Sequence, residues 1–157
     1  MECFDLVLRH TEQFVARLAA EAAALRVGSG LEPIDIGPMA SERELLRVER
    51  IVARAVEQGA RIETGGRRPP HRSTGWFYEP TVLRVDHSME IMHGECFGPL
   101  APVARVASLD EAIRCANDSD LGLGANIYTN DLAESARAVR EIETGIVWVN
   151  TPLNDND

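Results

Sequence analysis

Apolar residues recur at helical spacing near the start of the chain. Phe14, Val15, Leu18, Ala22 and Leu25 fall on one helical face, and Gly28 stops that helix. Residues 28–37 read as a loop. Ser41-Glu42-Arg43-Glu44 forms a capping box, in which the Ser hydroxyl and the Glu carboxylate each satisfy a free backbone N–H. Leu45, Val48, Val52 and Ala55 continue the helical stripe until Gly59. Residues 61–63 suit a short strand. Residues 65–74 cluster Gly, Pro and Arg, the pattern of a surface loop or hairpin tip. Residues 77–85 are extended but interrupted by Pro80, which has no N–H to give a ladder, so an edge position is expected.

The second half is more regular. Residues 102–107 read as a strand. Ser108-Leu109-Asp110-Glu111 is a second capping box and opens a helix to about Asn117. Residues 125–129 form another strand, and Asn130 or Asp131 caps a helix that ends at Gly145. Residues 146–149 are apolar on both faces, as in a parallel sheet covered on two sides. The order β-α-β-α-β with short links predicts right-handed crossovers. The expected fold class is α/β, an open, mainly parallel sheet flanked by helices. The length of 157 residues and the lack of an interior linker predict one domain over 1–157.

Composition narrows the partners. Hydrophobic residues at 45% and charged residues at 26% are ordinary for a soluble globular protein. No apolar run reaches the length of a bilayer-spanning helix, so no membrane partner is expected. The opening residues Met1 to Asp5 carry acids rather than a basic leader, and the expected compartment is the cytoplasm. A net charge of -9 would repel phosphate backbones, which argues against nucleic acid. All 16 Lys+Arg positions are Arg, so no Schiff-base or P-loop lysine exists here, and the Arg bias is read as genomic base composition. Cys3, Cys96 and Cys115 have no metal-like spacing, and their odd number suggests free thiols. Cys115, within a helical pattern, is expected in the core. His10, His71, His87 and His93 are scattered, and no metal site is expected.

The candidate chemistry lies in His93-Gly94-Glu95-Cys96-Phe97-Gly98-Pro99, just before a strand. Two glycines and a proline would fix an unusual backbone path. Glu95 could accept bonds from sugar hydroxyls, and Phe97 could pack on a flat ring. The same residues also suit a structural turn with a solvated Glu and a core Phe.

Six stretches together resemble the aldehyde dehydrogenase family. Glu95-Cys96-Phe97-Gly98-Pro99 resembles its E-x-F-G-P signature, and Ile36 to Ser41 its M-G-P-L-x-S. Gly75 to Val82 resembles G-x-F-x-x-P-T-V, Ala116 to Leu123 A-N-x-x-x-x-G-L, Thr129-Asn130-Asp131 T-x-D, and Gly145 to Asn150 G-x-V-x-x-N. They occur in the family's order over nearly the whole chain. The resemblance implies that Glu95 holds the ribose of the nicotinamide in NAD or NADP and that Phe97 contacts the nicotinamide. Cys96 fills the variable position and inherits no role. The family's reaction is thiolate attack on an aldehyde, hydride transfer to NAD(P)+ and hydrolysis of the thioester to a carboxylic acid.

The resemblance also implies what these residues lack: the G-Q-x-C nucleophile, the general-base Glu, the oxyanion-holding Asn, the Rossmann-like half with its phosphate-binding Lys, and an oligomerising tail. Residues 1–157 thus read as a partial catalytic domain with no catalytic residue of its own. It is expected to be inactive alone and to bind NAD weakly or not at all. Removing one oxyanion donor alone costs about 100- to 1000-fold. One expectation is an enzyme part complemented by the missing half. Another is a non-catalytic α/β interaction module, or pseudoenzyme, that self-associates, with a homo-oligomer expected. A third, a thiol enzyme using Cys3, is disfavoured because Cys3 lacks the motif and lies too close to Phe14.

Overall fold

The computed structural model describes residues 5–7, 9–72 and 74–151. Cys3 and the tail 152–157 lie outside the described residues. The chain divides into two compact units, Met1–Arg105 and Val106–Asp157.

In the first unit a four-stranded sheet has the order β1-β4-β3-β2, with β1 at Asp5–Val7, β2 at Arg61–Thr64, β3 at Thr81–Val85 and β4 at Leu100–Arg105. Strands β1 and β3 run parallel to β4, and β2 runs antiparallel to β3. The sheet is therefore mixed and mainly parallel. The expected edge position of residues 77–85 is corrected, because β3 is interior. Pro80 stands one residue before the strand, so every β3 residue keeps its N–H, and Thr81 N donates to Pro99 O at 2.8 Å.

Alternation along β3 and β4 sends side chains to opposite faces. Val82 and Val103 meet helix α1 (Thr11–Ala24) through Val15, Leu18, Ala19 and Ala22. Leu83, Leu100 and Ala104 share the larger core with Leu45, Val48, Val52 and Ala55 of helix α2 (Glu42–Glu57). Burying one such Leu contributes about 1.5–3 kcal/mol. The capping box forms as expected on its Ser side, where Ser41 Oγ accepts from Glu44 N at 3.3 Å. Phe14 and Leu25, expected on the α1 core face, are instead 40% and 41% exposed. They lie roughly 80° to one side of the stripe centred on Val15 and Ala22.

In the second unit, helix α3 (Leu109–Asn117) and helix α4 (Leu132–Glu141) accompany two parallel strands, β5 (Gly124–Ile127) and β6 (Ile146–Val149). Ser108 Oγ caps α3, and Asp131 rather than Asn130 caps α4, accepting from Ala133 N at 2.8 Å and Glu134 N at 3.1 Å. Helix α4 stops at Glu141, short of Gly145, and Gly145 N instead bonds Gly122 O at 2.8 Å.

Two expectations fail here. Among the described residues, β4 pairs with β1 and β3 and β5 with β6, so the β-α-β-α-β run does not make one continuous sheet. Strand β6 is not covered on both sides, for Ile146 is 53% and Val149 37% exposed. An apolar strand records that cover suits it, not which atoms supply that cover.

Candidate functional site

The turn 93–98 connects a short 3-10 turn at Glu90–Met92 to β4. Its second half is tightly wired: Gly98 N donates to Cys96 O at 2.8 Å, and Leu100 N to Gly98 O at 2.8 Å. It rests directly on α2. A side-chain carbon at Gly98 would lie 2.5 Å from Val48 Cγ2, so glycine permits the close approach. One residue back along the helix, Arg47 Nη2 donates to Glu95 O at 2.6 Å. The Arg47 guanidinium carbon also lies 6.0 Å from the Phe97 ring centroid, and Nη1 lies 3.6 Å from Glu44 Oε2.

Both residues singled out in the sequence lie on this turn and face solvent. Glu95 is exposed, and no described side chain bonds its carboxylate. Phe97 is 53% exposed, so it is not the core residue a purely structural turn would bury. Cys96 between them points the other way, packing against the larger core, and burial pushes its thiol pKa up while Arg47 opposes this. Alternation along the turn thus presents a carboxylate and an aromatic ring on one side and anchors the thiol on the other.

The other expected chemistry is structural. Cys115 is buried at 1% exposure, as anticipated. His87 and His93, six positions apart in the chain, come together with ring centroids 4.8 Å apart, and His93 Nε2 contacts His87 O at 2.8 Å. His10 precedes α1 in a left-handed conformation (φ 58) and makes no side-chain cap. Tyr78 is buried, and its hydroxyl pKa is pushed up to about 12 by that burial and by Glu49, Glu79 and Cys96 nearby.

Motif residues of the second unit act as brackets. Asn117 Nδ2 donates to Glu141 O at 2.7 Å while its Oδ1 accepts from Glu143 N at 2.9 Å. Asn150, held at φ 53, does the same to Thr129, donating to its O at 2.8 Å and accepting from its N at 2.9 Å. Each side-chain amide stands in for a backbone pair, Asn117 at the end of α4 and Asn150 just beyond the β5–β6 ladder.

Arg47 is the site residue the sequence reading missed. Its only signal is position. It sits one residue before the buried Val48 and three after Glu44, on the flank of the stripe, where a long side chain reaches over a neighbouring turn.

The fold is thus a mixed, mainly parallel α/β sheet with an exposed acid and ring on the turn before a central strand. The chain matches the aldehyde dehydrogenase family over residues 6–157 and belongs to it. It is 41% identical over 148 residues to 3-sulfolactaldehyde dehydrogenase of Pseudomonas putida, covering 93% of this chain and 30% of that protein. It is 42% identical over 142 residues to lactaldehyde dehydrogenase of Escherichia coli strain K12, covering 88% of this chain and 29% of that protein. The crystal structure of lactaldehyde dehydrogenase from Escherichia coli superposes with a TM-score of 0.92 at 39% identity, covering 98% of this chain and 32% of that chain. The betaine aldehyde dehydrogenase of Staphylococcus aureus in complex with NAD+ gives 0.88 at 32% identity, covering 94% and 30%. The chain therefore spans about 30% of the length of these relatives. Among the described residues, no helix is long and apolar enough to cross a membrane.

Proposed function

We propose that residues 1–157 are the part of an NAD(P)-dependent aldehyde dehydrogenase that holds the nicotinamide ribose during oxidation of an aldehyde to a carboxylic acid. The observation that carries this reading is the exposed Glu95 carboxylate, bonded by no described residue, on a turn that also exposes Phe97. The donor chemistry fits the cofactor. A carboxylate accepts two hydroxyl donors from a ribose, and a half-exposed aromatic ring offers a face or edge to a flat heterocycle. When bound, the cofactor accepts a hydride from the substrate carbon. This chain's residues contribute binding and orientation: Glu95 grips the ribose and Phe97 limits the tilt of the nicotinamide.

The thiolate that attacks the aldehyde is assigned to residues outside 1–157. The two described cysteines suit no such role, since burial pushes the Cys96 thiol pKa up and Cys115 is buried. A nucleophilic cysteine needs an accessible, electropositive setting that lowers its pKa. We therefore expect no turnover from these residues alone and weak or absent NAD or NADP binding. A cytoplasmic setting accompanies the reading, since thiols stay reduced there. The test is to mix the chain with a polypeptide carrying the nucleophile and Rossmann-like half and to follow NADH absorbance with an aldehyde. Turnover only in the mixture supports the reading, and none with any cognate half contradicts it.

A second reading, association through the second unit as a non-catalytic module or homo-oligomer, is favoured by one observation. Leu123 (79% exposed), Leu132 (83%), Tyr128 (66%) and Ile146 (53%) leave apolar surface open around a two-stranded sheet. Contiguous exposed apolar surface marks association sites. Light scattering decides: a monomer across the micromolar range contradicts it.

A further inference from the structure

We infer that Arg47 is the positioning residue of the cofactor-facing turn, setting the backbone that carries Glu95 and the ring of Phe97 together. The inference rests on the assignment of Glu95 and Phe97 to the ribose and nicotinamide.

The turn is fixed unequally along its length. From Cys96 onward, backbone bonds hold it: Gly98 N to Cys96 O, Leu100 N to Gly98 O, and Thr81 N to Pro99 O, each 2.8 Å. The half that carries the acid is wired only at its start, where His93 N donates to Glu90 O at 3.1 Å, and among the described residues no backbone–backbone bond reaches Gly94 or Glu95. A β-carbon added at Gly94 would meet only Glu90 O, at 4.0 Å, so nothing packs closely on that side of the residue. Among the described residues, the one hydrogen bond to Glu95 comes from Arg47, 48 positions earlier in the chain. Without it, a glycine hinge would leave the Glu95 carboxylate free to swing with its backbone.

The guanidinium is suited to this work in a way an ammonium is not. One edge of its planar fork reaches Glu95 O, another lies 3.6 Å from Glu44 Oε2, and its carbon stands 6.0 Å from the Phe97 ring centroid. Glu44 is itself held at the helix start, where Glu44 N donates to Ser41 Oγ at 3.3 Å. The cap thus fixes the backbone of Glu44, Arg43 Nε donates to its Oε1 at 3.2 Å, its Oε2 faces the Arg47 fork, and the fork fixes a carbonyl and flanks a ring. Exposed ion pairs alone contribute little, but a charged donor on a backbone carbonyl is among the stronger bonds in a protein. Lysine would offer a single point of charge and lose the planar contact with the ring.

The test uses chain labelled with 13C-carbonyl Glu and 15N-Cys in a Cys3→Ser background, which leaves Glu95–Cys96 as the one carbonyl–amide correlation. Arg47→Met is expected to move and broaden that signal, and Arg47→Lys to return it part-way. The chain is then titrated with nicotinamide mononucleotide, followed by the same signal. Arg47→Met should weaken binding about tenfold or more, the loss of one charged hydrogen bond, with partial recovery in Arg47→Lys. An unmoved carbonyl in Arg47→Met overturns the inference, as does a moved carbonyl with unchanged nucleotide affinity. If the wild-type chain gives no response to the nucleotide even with its cognate Rossmann-like half present, the ribose assignment fails, and the carbonyl signal still decides whether Arg47 fixes the turn.

Discussion

Gly98 lies so close to Val48 that a β-carbon added to the glycine would sit 2.5 Å from Val48 Cγ2. Val48 is 1% exposed and β-branched, so it has few rotamers to retreat into. The turn and the helix are therefore fitted at van der Waals limits, and the seating of Glu95 and Phe97 depends on a helix far away in sequence.

Gly98→Ala should push the turn off α2. Overpacking of this kind costs about 1–3 kcal/mol. The expected outcome is a lower urea midpoint with an unchanged slope, together with weaker nicotinamide nucleotide binding. A variant as stable as wild type would show that the turn yields freely.

Acid should destabilise the first unit through its arginine-paired carboxylates. Hydrogen bonds from Arg84, Arg26, Arg68 and Arg54 hold Glu12, Asp35, Glu49 and Glu90 below their ordinary pKa values. With folded pKa values depressed, the unfolded chain binds more protons in the window between the two. The stabilisation is thus fully present above the ordinary values of 4.5 for Glu and 3.8 for Asp and is lost as pH falls through the folded values. Urea midpoints should be flat from pH 7 to about 5 and drop below that, with a shallower drop in high salt because these pairs face water. Equal midpoints at pH 7 and 3 would contradict the assignment.

Cys96 should alkylate slowly at neutral pH. Burial raises its thiol pKa above the ordinary 9.0, and only the thiolate reacts. In a Cys3→Ser chain, iodoacetamide labelling at pH 7.5 is expected to lag free cysteine and to accelerate as pH rises past 9. Labelling at Cys96 as fast as free cysteine would show an activated thiol and reopen a catalytic role for it.

Much of this was legible in the sequence where local chemistry decides. Ser41 and Ser108 begin helices because a hydroxyl three residues before a free N–H caps it, and Leu45, Val48, Val52 and Ala55 bury because their spacing is helical. Glu95 and Phe97 stood out because glycine and proline flank them. Long-range facts were not legible. Pro80 suggested an edge, yet β3 starts one residue later and lies between β2 and β4. Ile146 and Val149 read as doubly covered, but apolarity does not say what covers a strand. Arg47 carries no motif at all, since its bond to Glu95 spans 48 residues and exists only once α2 and the turn are folded together.

The central claim is that Glu95 and Phe97 face the nicotinamide and its ribose. Saturation-transfer NMR on the chain with nicotinamide mononucleotide tests it most directly. The account predicts transfer to the ribose and nicotinamide protons, lost at the ribose in Glu95→Gln and at the nicotinamide in Phe97→Ala, with both variants as stable as wild type. No transfer in the wild-type chain even with its cognate half present, or transfer unchanged in both variants, would contradict it.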